Sequence, residues 1–144
     1  MPHLSIRLVI NLLSVLGALF ALWKGSAAER MAAGIVIANA LLGEAGHWLM
    51  PDSEALLRLV NDGLTAIALL GVTVRYGALW MGGVMLFFAA QFSLHSFYLV
   101  TNRPPTDYMH ALVNNLDWTA ITLCLVIGTT VSWRARLRRK RAVA

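Results

Sequence analysis

Apolar residues run along this chain in five long blocks separated by short interruptions. The blocks cover roughly residues 4–23, 28–50, 54–75, 78–100 and 108–133. Each holds about 20 residues or more, enough for a helix rising 1.5 Å per residue to cross a hydrocarbon core of roughly 30 Å. Lys24-Gly25-Ser26, Pro51-Asp52-Ser53, Tyr76-Gly77 and the stretch from Thr101 to Asp107, with its Pro104-Pro105 pair, lie between them. Glycine and proline mark these breaks because neither sits well inside a helix. Connections this short make consecutive helices antiparallel neighbours. The pattern predicts one all-α domain, residues 1–144. It is a polytopic membrane bundle of five transmembrane helices with a basic tail over 134–144. There is no internal repeat and no low-complexity segment.

Composition supports that class. Of 144 residues, 58% are hydrophobic and 13% charged, too apolar for a soluble domain of this length. The single cysteine, Cys124, excludes an internal disulfide and a cysteine-based metal motif, and reads as a small apolar filler in mid-span. The net charge is +5, but six of the twelve Lys and Arg residues lie between Arg134 and Arg141. A basic cluster directly after an apolar span is a topology signal or a contact for anionic lipid heads. No aromatic interleaving points to nucleic acid.

The basic residues also predict orientation. With the C-terminus in the cytoplasm, the inner side holds Lys24, Arg30, Arg75 and the six tail residues, nine in all; the outer side holds Arg7, Arg58 and Arg103. The asymmetry predicts N-outside, C-inside. Trp23, Trp80 and Trp133 then fall near the inner interface and Trp48 near the outer one, depths that tryptophan favours. Arg7, the apolar run Leu8 to Trp23 and Ser26-Ala27-Ala28 also resemble a cleavable signal peptide. Cleavage would leave four spans and an outer new end, in conflict with a basic inner tail, so five spans are expected. This places the chain in the bacterial inner membrane, crossing it several times.

Given that topology, nearly every polar residue within the spans falls in the outer half. Arg7, Asn11 and Ser14 share one face of the first span, and Gln91, His95 and Tyr98 one face of the fourth, both at i, i+4, i+7. The second carries Glu44 and His47, the third Arg58, Asn61, Asp62 and Thr65, and the fifth His110, Asn114 and Asp117. Polar groups facing lipid are costly, so these faces are expected to converge on a polar chamber centred on His95. Each member also has a plain reading. Arg58 and Asp62, at i, i+4, neutralise each other; Asn11, Asn61 and Asn115 hydrogen-bond between helices; His47 and His110 sit near the interface; Gly34 and Ala38 are a small-residue packing pair.

Taken together, the residues suggest chemistry. Glu44-x-x-His47 has the i, i+3 spacing of carboxylate-bridged metal sites in helical bundles. With His95 and His110 at similar depth and Asp62 and Asp117 slightly deeper, the set offers ligands for zinc, iron or copper. His47 and His95 are the candidate pair for haem. Without a cofactor, the same residues read as a proton relay. Gln91, Tyr98, Asn114 and Arg58 complete the polar pocket.

Several short matches add to this. Trp23-Lys24-Gly25, Ala28-Glu29-Arg30-Met31-Ala32-Ala33, Asp62, Ala78-Leu79-Trp80, His95 and Gly128-Thr129 before a basic tail resemble a group of small, uncharacterised bacterial integral membrane proteins. The resemblance covers most of the chain. It implies the same five-span fold and, since that group has no assigned activity, no function. His47, His110, Asn114 and Asp117 are less typical of it.

Three function classes follow. The first is a small accessory or assembly subunit of a larger membrane complex, because so small a bundle needs partners or a second copy to cover its polar faces. The second is a metal- or haem-binding redox protein or enzyme using His47, His95 and His110. The third is a proton- or ion-coupled carrier, disfavoured by an apolar inner half with no polar exit.

Overall fold

The computed structural model of the chain describes residues 2–103 and 107–143, with side chains over 9–50, 52–103 and 107–142. The Pro104-Pro105 pair and the Arg7 side chain lie outside the described set. Five helices follow in order: α1 Pro2–Lys24, α2 Ala27–Leu49, α3 Glu54–Tyr76, α4 Leu79–Val100 and α5 Tyr108–Val143, with one 3-10 turn, Pro51–Ser53, between α2 and α3. Among the described residues there is no strand. Gly77 ends α3 in the left-handed region (φ 62°), which glycine adopts without the steric penalty of a side chain.

Among the described residues, three helices are long and apolar enough to cross a membrane: α3, α4 and α5 over Tyr108–Ala142. In α1 the described apolar stretch is the shorter Val9–Lys24. Helix α2 has the length of a span but is diluted by Glu29, Arg30, Asn39, Glu44 and His47. Large apolar side chains cover the outside of the bundle, with Ile67 67%, Val74 76% and Leu86 65% exposed. Water would penalise such a surface and lipid would not.

The helices form a closed ring. Each packs on its neighbours in the chain, and α5 returns to pack on α1. Helices α1 and α5 run parallel, tied by Ser14 Oγ to Thr122 Oγ1 at 2.8 Å and by the Arg136 guanidinium donating to the Lys24 carbonyl. The other neighbouring pairs are antiparallel. The apolar core is built from Ala18, Ala21, Ala28, Ala32 and Ala33 where α1 meets α2, then Leu69, Met81, Val84, Phe88, Ile121 and Leu125. Small residues let α1 and α2 approach closely. Gly34 and Ala38 face outward, and a Cβ on Gly34 would meet nothing within 4 Å.

One boundary differs from expectation. The pattern predicts a helix ending near Trp133 and then a tail, whereas α5 continues to Val143. Arg, Leu, Lys and Ala are strong helix formers, no glycine or proline follows Gly128, and cations favour the negative end of the helix dipole.

Candidate functional site

The polar centre is assembled from α2, α3 and α4. Asn39 stands alone between Ile37-Ala38 and Ala40-Leu41 in the apolar middle of α2, and it is buried. Its Nδ2 donates to Asp62 Oδ1 at 3.0 Å and to Thr65 Oγ1 at 3.0 Å, which uses both amide hydrogens. The Thr65 hydroxyl is free to accept because its own hydrogen goes back to the Asn61 carbonyl at 2.7 Å. Asn61 returns the contact, donating to the Asn39 carbonyl at 2.8 Å. Helices α2 and α3 are thus laced through a buried network with its donors and acceptors matched.

The second Asp62 oxygen faces α4. His95 Nδ1 lies 2.6 Å from Asp62 Oδ2, and both side chains are more than nine-tenths buried. An ionised carboxylate only accepts, so Nδ1 carries the proton there and, in the neutral ring, the lone pair falls on Nε2. Asn39 and Asp62 together fix the ring's orientation. Nε2 is itself buried and has no hydrogen-bond partner among the described residues.

A row of rings leads from His95 to the end of the bundle. His110 on α5 lies with its ring centroid 5.4 Å from that of His95, tilted by 36°. The Tyr98 ring meets His110 edge-on at 4.8 Å. The Tyr98 hydroxyl donates to Asp107 Oδ2 at 2.8 Å. Asp107 caps α5: its carbonyl accepts from Ala111 N–H at 3.1 Å and its Oδ1 from Met109 N–H at 3.3 Å. The Tyr98 hydrogen bond, then the Met109 N–H and the Arg103 charge, hold the Asp107 carboxyl below its usual range.

Two more buried atoms lack a hydrogen-bond partner among the described residues: Gln91 Nε2, one turn from His95 on α4, and Asp117 Oδ2 on α5. Gln91 supplies a donor, Asp117 an acceptor, and His95 Nε2 either one. Leaving such groups unpaired in a low-dielectric interior costs about 1–3 kcal/mol each.

Of the expected chamber, Asp62, His95, His110 and Tyr98 are in direct contact, while Gln91 and Asp117 are buried on α4 and α5. Asn114 is half-buried on α5 between His110 and Asp117. Glu44 is exposed on α2, outside this cluster. His47, half-exposed, pairs through Nδ1 with Glu54 Oε2 at 2.9 Å. Arg58 turns back to Glu54 at 2.7 Å and leaves Asp62 to Asn39 and His95, so the expected Arg58–Asp62 neutralisation is not the pairing adopted. The reason is reach: Asp62 points into the bundle, while Glu54 sits at the polar end where a guanidinium stays hydrated.

The metal set is not gathered. Among the described residues no three of His, Cys, Asp and Glu are placed to hold one ion. His47 is held at Glu54 and His95 at Asp62, eight residues apart on α3, or about 12 Å of rise. Two nitrogens on one metal, each at about 2 Å, lie at most about 4 Å apart. Ser93 satisfies itself by donating to the Ala89 carbonyl at 2.9 Å. Sequence reasoning missed Asn39, Glu54 and Asp107. A depth comparison finds the first: Asn39 is eleven residues before Met50 and Asp62 nine after Ser53, so both sit about 14–16 Å into antiparallel helices.

At the opposite end, Glu29 is buried. It accepts from Ser26 N–H at 2.6 Å and from the Ser26 hydroxyl, and lies 3.8 Å from Arg136 Nη1. No family model, curated protein or solved structure matches the chain.

Proposed function

We propose that the chain is a multi-pass protein of the bacterial inner membrane, with all five helices spanning, the N-terminus outside and the C-terminus inside. In this reading it is an accessory subunit of a larger membrane complex and contributes a buried proton-exchanging histidine, His95. The observation that carries the reading is the pairing of His95 Nδ1 with Asp62 at 2.6 Å while Nε2 stays buried and free. A carboxylate that locks one ring nitrogen leaves the other as the exchanging atom.

The packed rings of His95, His110 and Tyr98 and the Tyr98–Asp107 hydrogen bond lead toward the end that carries Asp107, the outer side under this topology and the side from which, in this reading, protons reach His95. The core of the Lys24 half is mostly alanine, leucine, valine and methionine, and its buried carboxylate, Glu29, is held by Ser26 and Arg136, which favours a one-sided proton store over a carrier. A buried pair of imidazoles with no nucleophile in contact among the described residues suits a subunit that serves a neighbour's chemistry more than a free-standing enzyme.

The test is sided. The protein, labelled with 15N-histidine, is reconstituted in vesicles with its Asp107 end outward. The His95 Nε2 resonance is expected to follow the external pH and ignore the luminal pH, and Asp62→Asn is expected to change its tautomer. A resonance that follows the lumen, or neither side, overturns the proton reading, as does a Soret band or stoichiometric bound metal. A monodisperse monomer in mild detergent, with no larger membrane protein recovered, overturns the subunit reading.

A further inference from the structure

The continuation of α5 past Trp133 arranges its cations on two faces. At 100° per residue, Arg134, Leu137, Arg138 and Arg141 fall within one stripe, and Arg136, Arg139 and Lys140 on the other side. Arg136 is committed to the bundle, at the Lys24 carbonyl and Glu29. The side chains of Arg134, Leu137, Arg138 and Arg141 bound an open surface space of about 140 Å³, lined mainly by their aliphatic atoms.

We propose that this stripe binds the phosphate of an anionic phospholipid. Depth is the first argument. Lys24 Nζ lies 3.7 Å from the centroid of the Trp23 ring and 5.3 Å from that of Trp133. Tryptophan and lysine together mark the headgroup level, so the stripe begins one residue beyond it. Arg134 to Arg141 then spans about 10 Å of rise, within roughly a Debye length of the surface.

Charge is the second argument. Arg134, Arg138 and Arg141 share one face of the helix, and among the described residues no ion pair joins any of them to a carboxylate. Guanidinium forks match phosphate oxygens in pairs. Leu137 is the third argument: an apolar side chain among three arginines gains nothing from a nucleic acid.

Charge-matched variants test it in the full chain. Selectivity for spin-labelled phosphatidylglycerol over phosphatidylcholine is measured in mixed vesicles. Wild type is expected to prefer the anionic lipid, R134Q/R138Q to reduce the preference severalfold, and R139Q/K140Q to keep most of it. Equal losses in the two variants overturn the proposal, because bulk charge then explains the preference. Absence of a preference in wild type also overturns it, as does displacement of the lipid by a short RNA duplex at matched charge concentration.

Discussion

Tyr98 is the residue through which the buried cluster meets the segment before α5. Its hydroxyl donates to Asp107, and that bond is the main cause of the depressed Asp107 pKa. A carboxyl with a folded pKa below its unfolded value stabilises the fold above the unfolded pKa, about 3.9. That contribution disappears as pH falls through the folded value. Tyr98→Phe is therefore expected to raise the Asp107 pKa toward the ordinary range, with the Met109 N–H and Arg103 retaining part of the depression. Carboxyl 13C NMR of Asp107 reads this directly, and an unchanged titration contradicts the assigned cause. The variant should also lose the acid-side stability at higher pH than wild type.

Helix α5 shows what an element reveals in advance and what it withholds. Its apolar run and its polar face at His110, Asn114 and Asp117 are plain in the sequence, because spacing of three and four residues needs only helical geometry. Its end is not, because a basic run reads as a tail until one notes that it lacks a breaker. The Gln91, His95 and Tyr98 face of α4 is equally legible, and all three side chains are buried. Pairings are harder. That Arg58 chooses Glu54 over Asp62 depends on which way Asp62 points, and Asn39 carries no pattern of its own. Gly128 belongs to the same class: a Cβ placed there would come within 2.3 Å of the Trp80 ring of α4. Gly128→Val is expected to force α4 and α5 apart and to destabilise the bundle by about 1–3 kcal/mol, the usual range for overpacking. Gly34→Val, which meets nothing within 4 Å, should be close to neutral. Thermal or denaturant unfolding in detergent separates the two, and equal effects would remove the Gly128–Trp80 contact as the explanation.

At the scale of the whole molecule, the ring closure of α1 on α5 decides where charge can go. Parallel α1 and α5 put Lys24 beside Trp133 and the start of the arginine stripe, so the cations of the first connection and of the last helix share one end. The orphan carbonyl at the end of α1 is filled by Arg136, and Glu29 is buried beneath it. The other end carries His47, Glu54, Arg58, Arg103 and Asp107, where acids offset the few bases. Nine basic residues against three is an asymmetry that the insertion machinery reads as cytoplasmic on the richer side. Reporter fusions at Ala144 and at Asn102 are therefore expected to give opposite results, cytoplasmic at Ala144 and external at Asn102. An external signal at Ala144 would invert the assignment. The proposed proton exchange at His95 would then face the cytoplasm, because the row of rings is a property of the fold and its sidedness a property of the charge.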